Sequence, residues 1–222
     1  MSSKLIGTVL ACAAACSLGV AVCGRTVAAE DASKPAAAPA SAAPEMQLPP
    51  GWSMEDMQAC AVAGTPGPQH AELMLQVGTW TGTNTMWMFP GAPAMTSPVT
   101  QVMTSAFDGR YIKCEVTGEI PGMGAFVGMG MTGYDNVSGK YVGMWVDNHS
   151  TTIMHGTGER SADGKVYTLN YNFHCPITKK PAVMREVQTL ASPSSMTVEF
   201  FGTDPKSGKE FKCMEMVLTK AK

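Results

Sequence analysis

The chain has 222 residues, with 16 Lys+Arg against 18 Asp+Glu and no block of either sign. That length holds one good-sized domain plus appendages. The near balance, with no basic stripe, argues against a nucleic-acid binder, whose affinity rests on phosphate contacts.

Residues 1–29 read as an export address. Lys4 supplies a short positive start, residues 5–22 are apolar and rich in small side chains, and Val27-Ala28-Ala29 fits small-x-small cleavage after Ala29. The apolar run approaches the length of a spanning helix, but its Ala, Gly, Ser and Cys make it weakly hydrophobic. A periplasmic or secreted protein is therefore expected, and a lipid anchor at Cys12 or Cys16, each preceded by a small residue, ranks second. Of seven cysteines, cleavage leaves Cys60, Cys114, Cys175 and Cys213. In an oxidising compartment they permit disulfides in any of three full pairings, with small buried thiols as the alternative. No zinc-type Cys/His spacing is present.

Residues 30–50 form an Ala/Pro-rich linker with almost nothing to bury. Residues 51–77 have a helical texture. Ser53 followed by Asp56 resembles a capping box, and Thr65-Pro66 offers a second N-cap with Pro at N1, so two short helices are expected. From Gly78 the texture changes to short runs of Val, Thr, Tyr, Phe and Met between turn signals such as FDGR, IPGMG, SADGK and DPKSGK. Strands are expected near 78–88, 97–107, 110–119, 124–134, 140–148, 151–159, 165–173, 182–191, 195–203 and 209–219. Residues 78–222 are then an all-β domain, an up-and-down antiparallel barrel of about ten strands, closed so that no edge is exposed. In the first strand, VGTWTGTNTMWM, the threonines face solvent while Trp80, Gly82, Asn84, Met86 and Met88 face inward.

Gly78-Thr79-Trp80 after a short helix resembles the Gly-x-Trp signature of calycins. TPGPQHAELM, VGTWTG, MWMFPGAP, GMGMTGYDN, YVGMWVDN, MREVQTL and GKEFKCMEM, in that order, resemble a family of exported bacterial proteins, domain of unknown function 1579. The resemblance runs from about Trp52 to the C-terminus. It implies a calycin-like barrel and brings no activity or catalytic residue. The wider superfamily implies that Trp80 plugs one end of the barrel under a cation, supplied by Lys220 or Lys212. Nitrobindin-like relatives suggest haem held by a late His. Here the last is His174, outside the final two strands, so no cofactor is expected.

The 18 methionines include Met86-x-Met88, Met129-x-Met131 and Met214-x-Met216, each pair sharing one strand face. Soft thioethers raise Cu(I), but adaptable packing or pocket lining is the favoured reading, and no metal site is assigned. His70, His149, His155 and His174 lack the converging groups a site requires. Arg185 shares the parity of Val183 and Val187, and Glu215 that of Phe211, Cys213 and Val217. If both point inward they would need pairing and could anchor a carboxylate or another polar head group; the equal alternative is an outward salt bridge on the barrel wall, and Met214, Met216 and Leu218 offer a competing inward parity. No nucleophile elbow, phosphate loop, dinucleotide fingerprint or HExxH is present, so no catalytic residue is named. The expected function is binding of a small hydrophobic or amphipathic molecule without catalysis. Its pocket candidates are Asn84, Met86, Met88, Trp145, Arg185 and Glu215, with Trp80 as plug. The rivals are an interaction module whose barrel is packed shut and a Met/His metal- or haem-binding protein. Gly82, Gly128, Gly130 and Gly143 favour a cavity if they face in, or else mark bends.

Overall fold

The computed structural model describes residues 48–222. The export signal, the candidate anchor cysteines and most of the Ala/Pro-rich linker lie outside the described residues. Two short helices, α1 (Met54–Ala63) and α2 (Pro68–Met74), precede ten strands. These are β1 (Gly78–Met86), β2 (Met95–Ala106), β3 (Tyr111–Ile120), β4 (Gly124–Asp135) and β5 (Lys140–Asp147), then β6 (Met154–Arg160), β7 (Val166–His174), β8 (Pro181–Ser192), β9 (Ser195–Thr203) and β10 (Glu210–Lys220). Each strand pairs antiparallel with its sequence neighbours, and β1 pairs with β10, closing the barrel. Closure gives every strand two partners, the all-β up-and-down architecture expected from the spaced turn signals.

Alternation decides what each strand buries. Along β1, Trp80 and Asn84 are buried while Thr79, Thr81 and Thr83 are exposed, as the parity of that stretch requires. Strand β10 breaks the rule once. Lys212 opposes Phe201 and Met214 opposes Phe200, so Cys213 is an extra residue in a β-bulge. The bulge inverts the parity: Phe211 and Cys213 face the lumen before it, and Met214 and Met216 face the lumen after it. Both parities proposed for this strand are thus inward, each over its own half.

The helices close one end. In α1, the Asp56 N–H donates to Ser53 Oγ (3.1 Å) and the Ser53 N–H donates to Asp56 Oδ2 (2.7 Å), completing the capping box. The second helix departs from expectation, because its N-cap is Gly67 with Pro68 at N1, not Thr65 with Pro66. The Thr65 hydroxyl instead donates back to the Ala61 carbonyl at 2.7 Å. The Gly67 N–H, lacking a capping side chain, donates to His70 Nδ1 at 3.0 Å. Asn136 Nδ2 donates to the Thr65 carbonyl (2.8 Å), Arg110 Nε donates to the Gly64 carbonyl (3.1 Å), and Arg160 pairs with Glu72. These contacts hold the segment against the barrel and press Leu73, 2% exposed, into its end.

Candidate ligand cavity

Trp80 lies at the closed end, 1% exposed. Its Nε1 donates to the Gln76 carbonyl at 2.9 Å, satisfying the indole N–H that burial would otherwise leave unpaired. Lys220 Nζ sits 5.5 Å from the ring centroid and donates to the Leu75 carbonyl at 3.1 Å. Lys220 therefore supplies the cation to Trp80, and Lys212 lies at the same distance over Trp87. Trp80 is outside the cavity lining and stands beneath its floor.

Above that floor the barrel encloses a cavity of about 450 Å³. It runs from Leu73, Gln76 and Gln101 near the helices to Met86, Trp87 and Met88 at the opposite end, where Met88 is 56% exposed. Its own side chains do not fill the lumen. The glycines expected to leave room do so indirectly: their missing side chains seat aromatic rings flat on the wall. A Cβ on Gly128 would lie 2.2 Å from the Trp145 ring, and one on Gly143 would lie 2.8 Å from the Tyr171 hydroxyl; Gly156, not among those expected, lies against the Tyr171 ring in the same way, at 2.7 Å. Gly82 has a different task, since a Cβ there would strike the Val217 carbonyl where β1 and β10 approach closely.

Of the pocket candidates, Asn84, Met86, Met88 and Trp145 line the cavity. Arg185 and Glu215 do not, a correction to the inward pairing considered for them. Arg185 lies on the outer wall, where Nε and Nη2 donate to the two carboxylate oxygens of Glu210 (3.1 and 2.7 Å) and the guanidinium covers the Phe201 ring at 4.0 Å. Glu215 is outside because the bulge at Cys213 precedes it, and it accepts from Lys212, which also donates to Glu199. The apolar neighbours Val183 and Val187 misdirect the parity of β8, because β-branched residues also suit an outer barrel wall. Met129 and Met131 are likewise outside the lining, which β4 supplies through Phe126, Gly130 and Thr132.

The inward face of β8 carries Met184, Glu186 and Gln188. Glu186 is the group that sequence reasoning missed. Burial pushes its carboxyl up to about 7, and the nearby Tyr171 hydroxyl offsets this only in part. The only available signal was that Met184 and Leu190 share its parity. Gln188 Nε2 donates to Gln76 Oε1 at 2.7 Å and ties β8 to the floor. Asn84 is 8% exposed, and its Oδ1 has no hydrogen-bond partner among the described residues. At the mouth, Asp147 Oδ2 accepts from Trp145 Nε1 (3.0 Å) and its Oδ1 accepts from the His149 N–H (2.9 Å).

The cysteines form no disulfide among the described residues. Cys114 and Cys213 line the cavity, and burial, with Glu186 as a lesser cause, pushes the Cys114 thiol up to about 12. His149 stacks on Phe126 at the open end, whereas His70 is buried and caps α2, so the histidines occupy separate environments. No group of three or more His, Cys, Asp or Glu residues placed to hold a metal occurs among the described residues.

A family model described as "Protein of unknown function (DUF1579)" matches residues 65–220, more than half of the chain. No curated protein matches the sequence. Among solved structures, the S-type phycobiliprotein lyase CPES from Guillardia theta is similar, with 11% identity, 71% of this chain and 99% of that chain covered, and a TM-score of 0.49.

Proposed function

The chain belongs to the DUF1579 family, and from that premise we propose that it is an exported binding protein for a small apolar or amphipathic molecule. The cavity of about 450 Å³, floored by Leu73 and opening past Met86 and Met88, carries this reading. Small-molecule pockets span roughly 300–1,000 Å³ and combine apolar walls with a few polar groups that orient the ligand. The lumen matches that description through Val116, Leu169, Phe200 and its methionines, with Asn84, Gln101 and Glu186 as polar points. Methionine suits walls that must accommodate more than one shape. Export is argued from residues 1–29, whose pattern is that of a cleaved signal.

Binding without catalysis is supported by the chemistry of the lining. Cys114, the most nucleophilic atom type on the walls, is held protonated by burial. Gln188, at the floor of the lumen, is spent on Gln76 and not on orienting a base.

The test is a fluorescence titration with N-phenyl-1-naphthylamine, a neutral apolar probe, on the wild type and on Val116→Trp, which fills the lumen from β3. Saturable one-site binding is expected in the wild type. At least roughly tenfold weaker binding, about 1.4 kcal/mol, is expected in the variant if its melting temperature is retained. Equal binding by both proteins, or none by the wild type, would overturn the reading.

A further inference from the structure

Resting on that reading of the lumen, we propose that its preferred ligand class is an apolar amine, an ammonium or N–H donor on a hydrocarbon body, and not a fatty carboxylate. The charge inventory of the walls points this way. Glu119, Asp147 and Glu186 line the cavity, and among the described residues no Lys, Arg or His does.

The cations of the surrounding strands are engaged elsewhere. Arg185 is held by Glu210 on the outer wall, Arg160 by Glu72 beside α2, and Lys220 lies beneath the floor against Trp80. Lys212 reaches Trp87 near the rim but donates to both Glu199 and Glu215. A carboxylate entering the lumen would give up its hydration and meet like charge with no cation to pair it, the unpartnered Tyr167 hydroxyl being a neutral donor only. An ammonium would meet the opposite sign inside low-dielectric walls, which focus the field.

Asn84 supplies a second, independent indication. It projects from β1 into the cavity, is 8% exposed, and has an unpartnered Oδ1. A buried acceptor without a donor is costly, and a ligand N–H removes that cost where a carboxylate cannot. The aromatic walls add to this. Phe126 stacks on Trp145 with centroids 6.4 Å apart, and their π-faces attract a cation but not an anion. Glu186, whose proton affinity is already raised by burial, gains a counter-ion when an amine binds.

The experiment is displacement of N-phenyl-1-naphthylamine by decylamine, decan-1-ol and decanoate, matched in chain length, on the wild type and on the isosteric Glu186→Gln. Decylamine is expected to bind the wild type at least roughly tenfold more tightly than decanoate. In the variant that advantage is expected to shrink to within about threefold, while decanol still displaces the probe and so reports an intact lumen. Decanoate binding as tightly as decylamine would overturn the assignment, as would a preference that survives in Glu186→Gln. Decanol binding without amine preference sinks this inference alone. Failure of all three ligands, decanol included, sinks the cavity reading with it.

Discussion

At the residue scale, Glu186 illustrates how a barrel raises the energy of a charge it encloses. Its carboxyl moves from the ordinary 4.5 up to about 7 because burial penalises the carboxylate. An acid whose folded pKa is raised binds its proton more tightly in the native state. Stability relative to a neutral isostere is therefore intact below the unfolded value, falls as pH rises between 4.5 and about 7, and levels off above. The facing groups Tyr171 and Cys114 also have pKa values pushed up by burial, so they stay uncharged across that window. At roughly 1.4 kcal/mol per pH unit, the shift corresponds to about 3 kcal/mol. Glu186→Gln should accordingly leave urea stability nearly unchanged at about pH 4 and raise it by roughly 2–3 kcal/mol at about pH 8. An equal offset at both pH values would contradict the assignment. Asn84 was legible in the sequence because it lies on the parity of Trp80 in a regular strand. Glu186 was not, because two outward valines on β8 imitate a core face.

Elements fail in sequence reasoning where the backbone departs from its period. Nothing in GKEFKCMEM announces that Cys213 is an extra residue, yet that bulge moves Glu215 from the lumen to the outer wall. A bulge is set by pairing with β9, a long-range property that one strand's sequence does not carry. Hairpin turns are local, and FDGR, IPGMG and SADGK accordingly marked their strand boundaries well. The start of α2 depended on a competition between Thr65 and Gly67, which the Thr65 bond to Ala61 resolves. The β4–β5 hairpin yields a direct test, because Trp145 lies where a Gly128 side chain would stand, 2.2 Å from its ring. Gly128→Ala should destabilise the protein by about 1–3 kcal/mol, as overpacking does, and shift Trp145 emission as the ring is displaced. A variant with unchanged melting temperature and emission would show that the ring does not rest on that glycine.

At the scale of the whole molecule, closure and end-sealing together create the site. Ten antiparallel strands leave no free edge, while Trp80, Lys220 and Leu73 shut the end that the helices cover. The remaining interior is an apolar chamber whose charged lining, among the described residues, is acidic. The architecture was readable from spaced turns and from the Gly-Thr-Trp start of β1. The openness of the lumen was not, because the volume depends on how flat Trp145 and Tyr171 lie against paired glycines. Methionines report on this chamber from inside and out: Met184, Met214 and Met216 line it, whereas Met54 and Met123 are 66% and 57% exposed outside it. The decisive measurement is an NMR titration of carbon-13-labelled methionine methyls with decan-1-ol. Saturable shifts of the Met184, Met214 and Met216 methyls, with Met54 and Met123 unmoved, are the predicted result. Lumen methyls that stay still at saturating decanol would contradict the claim that the barrel is a ligand chamber.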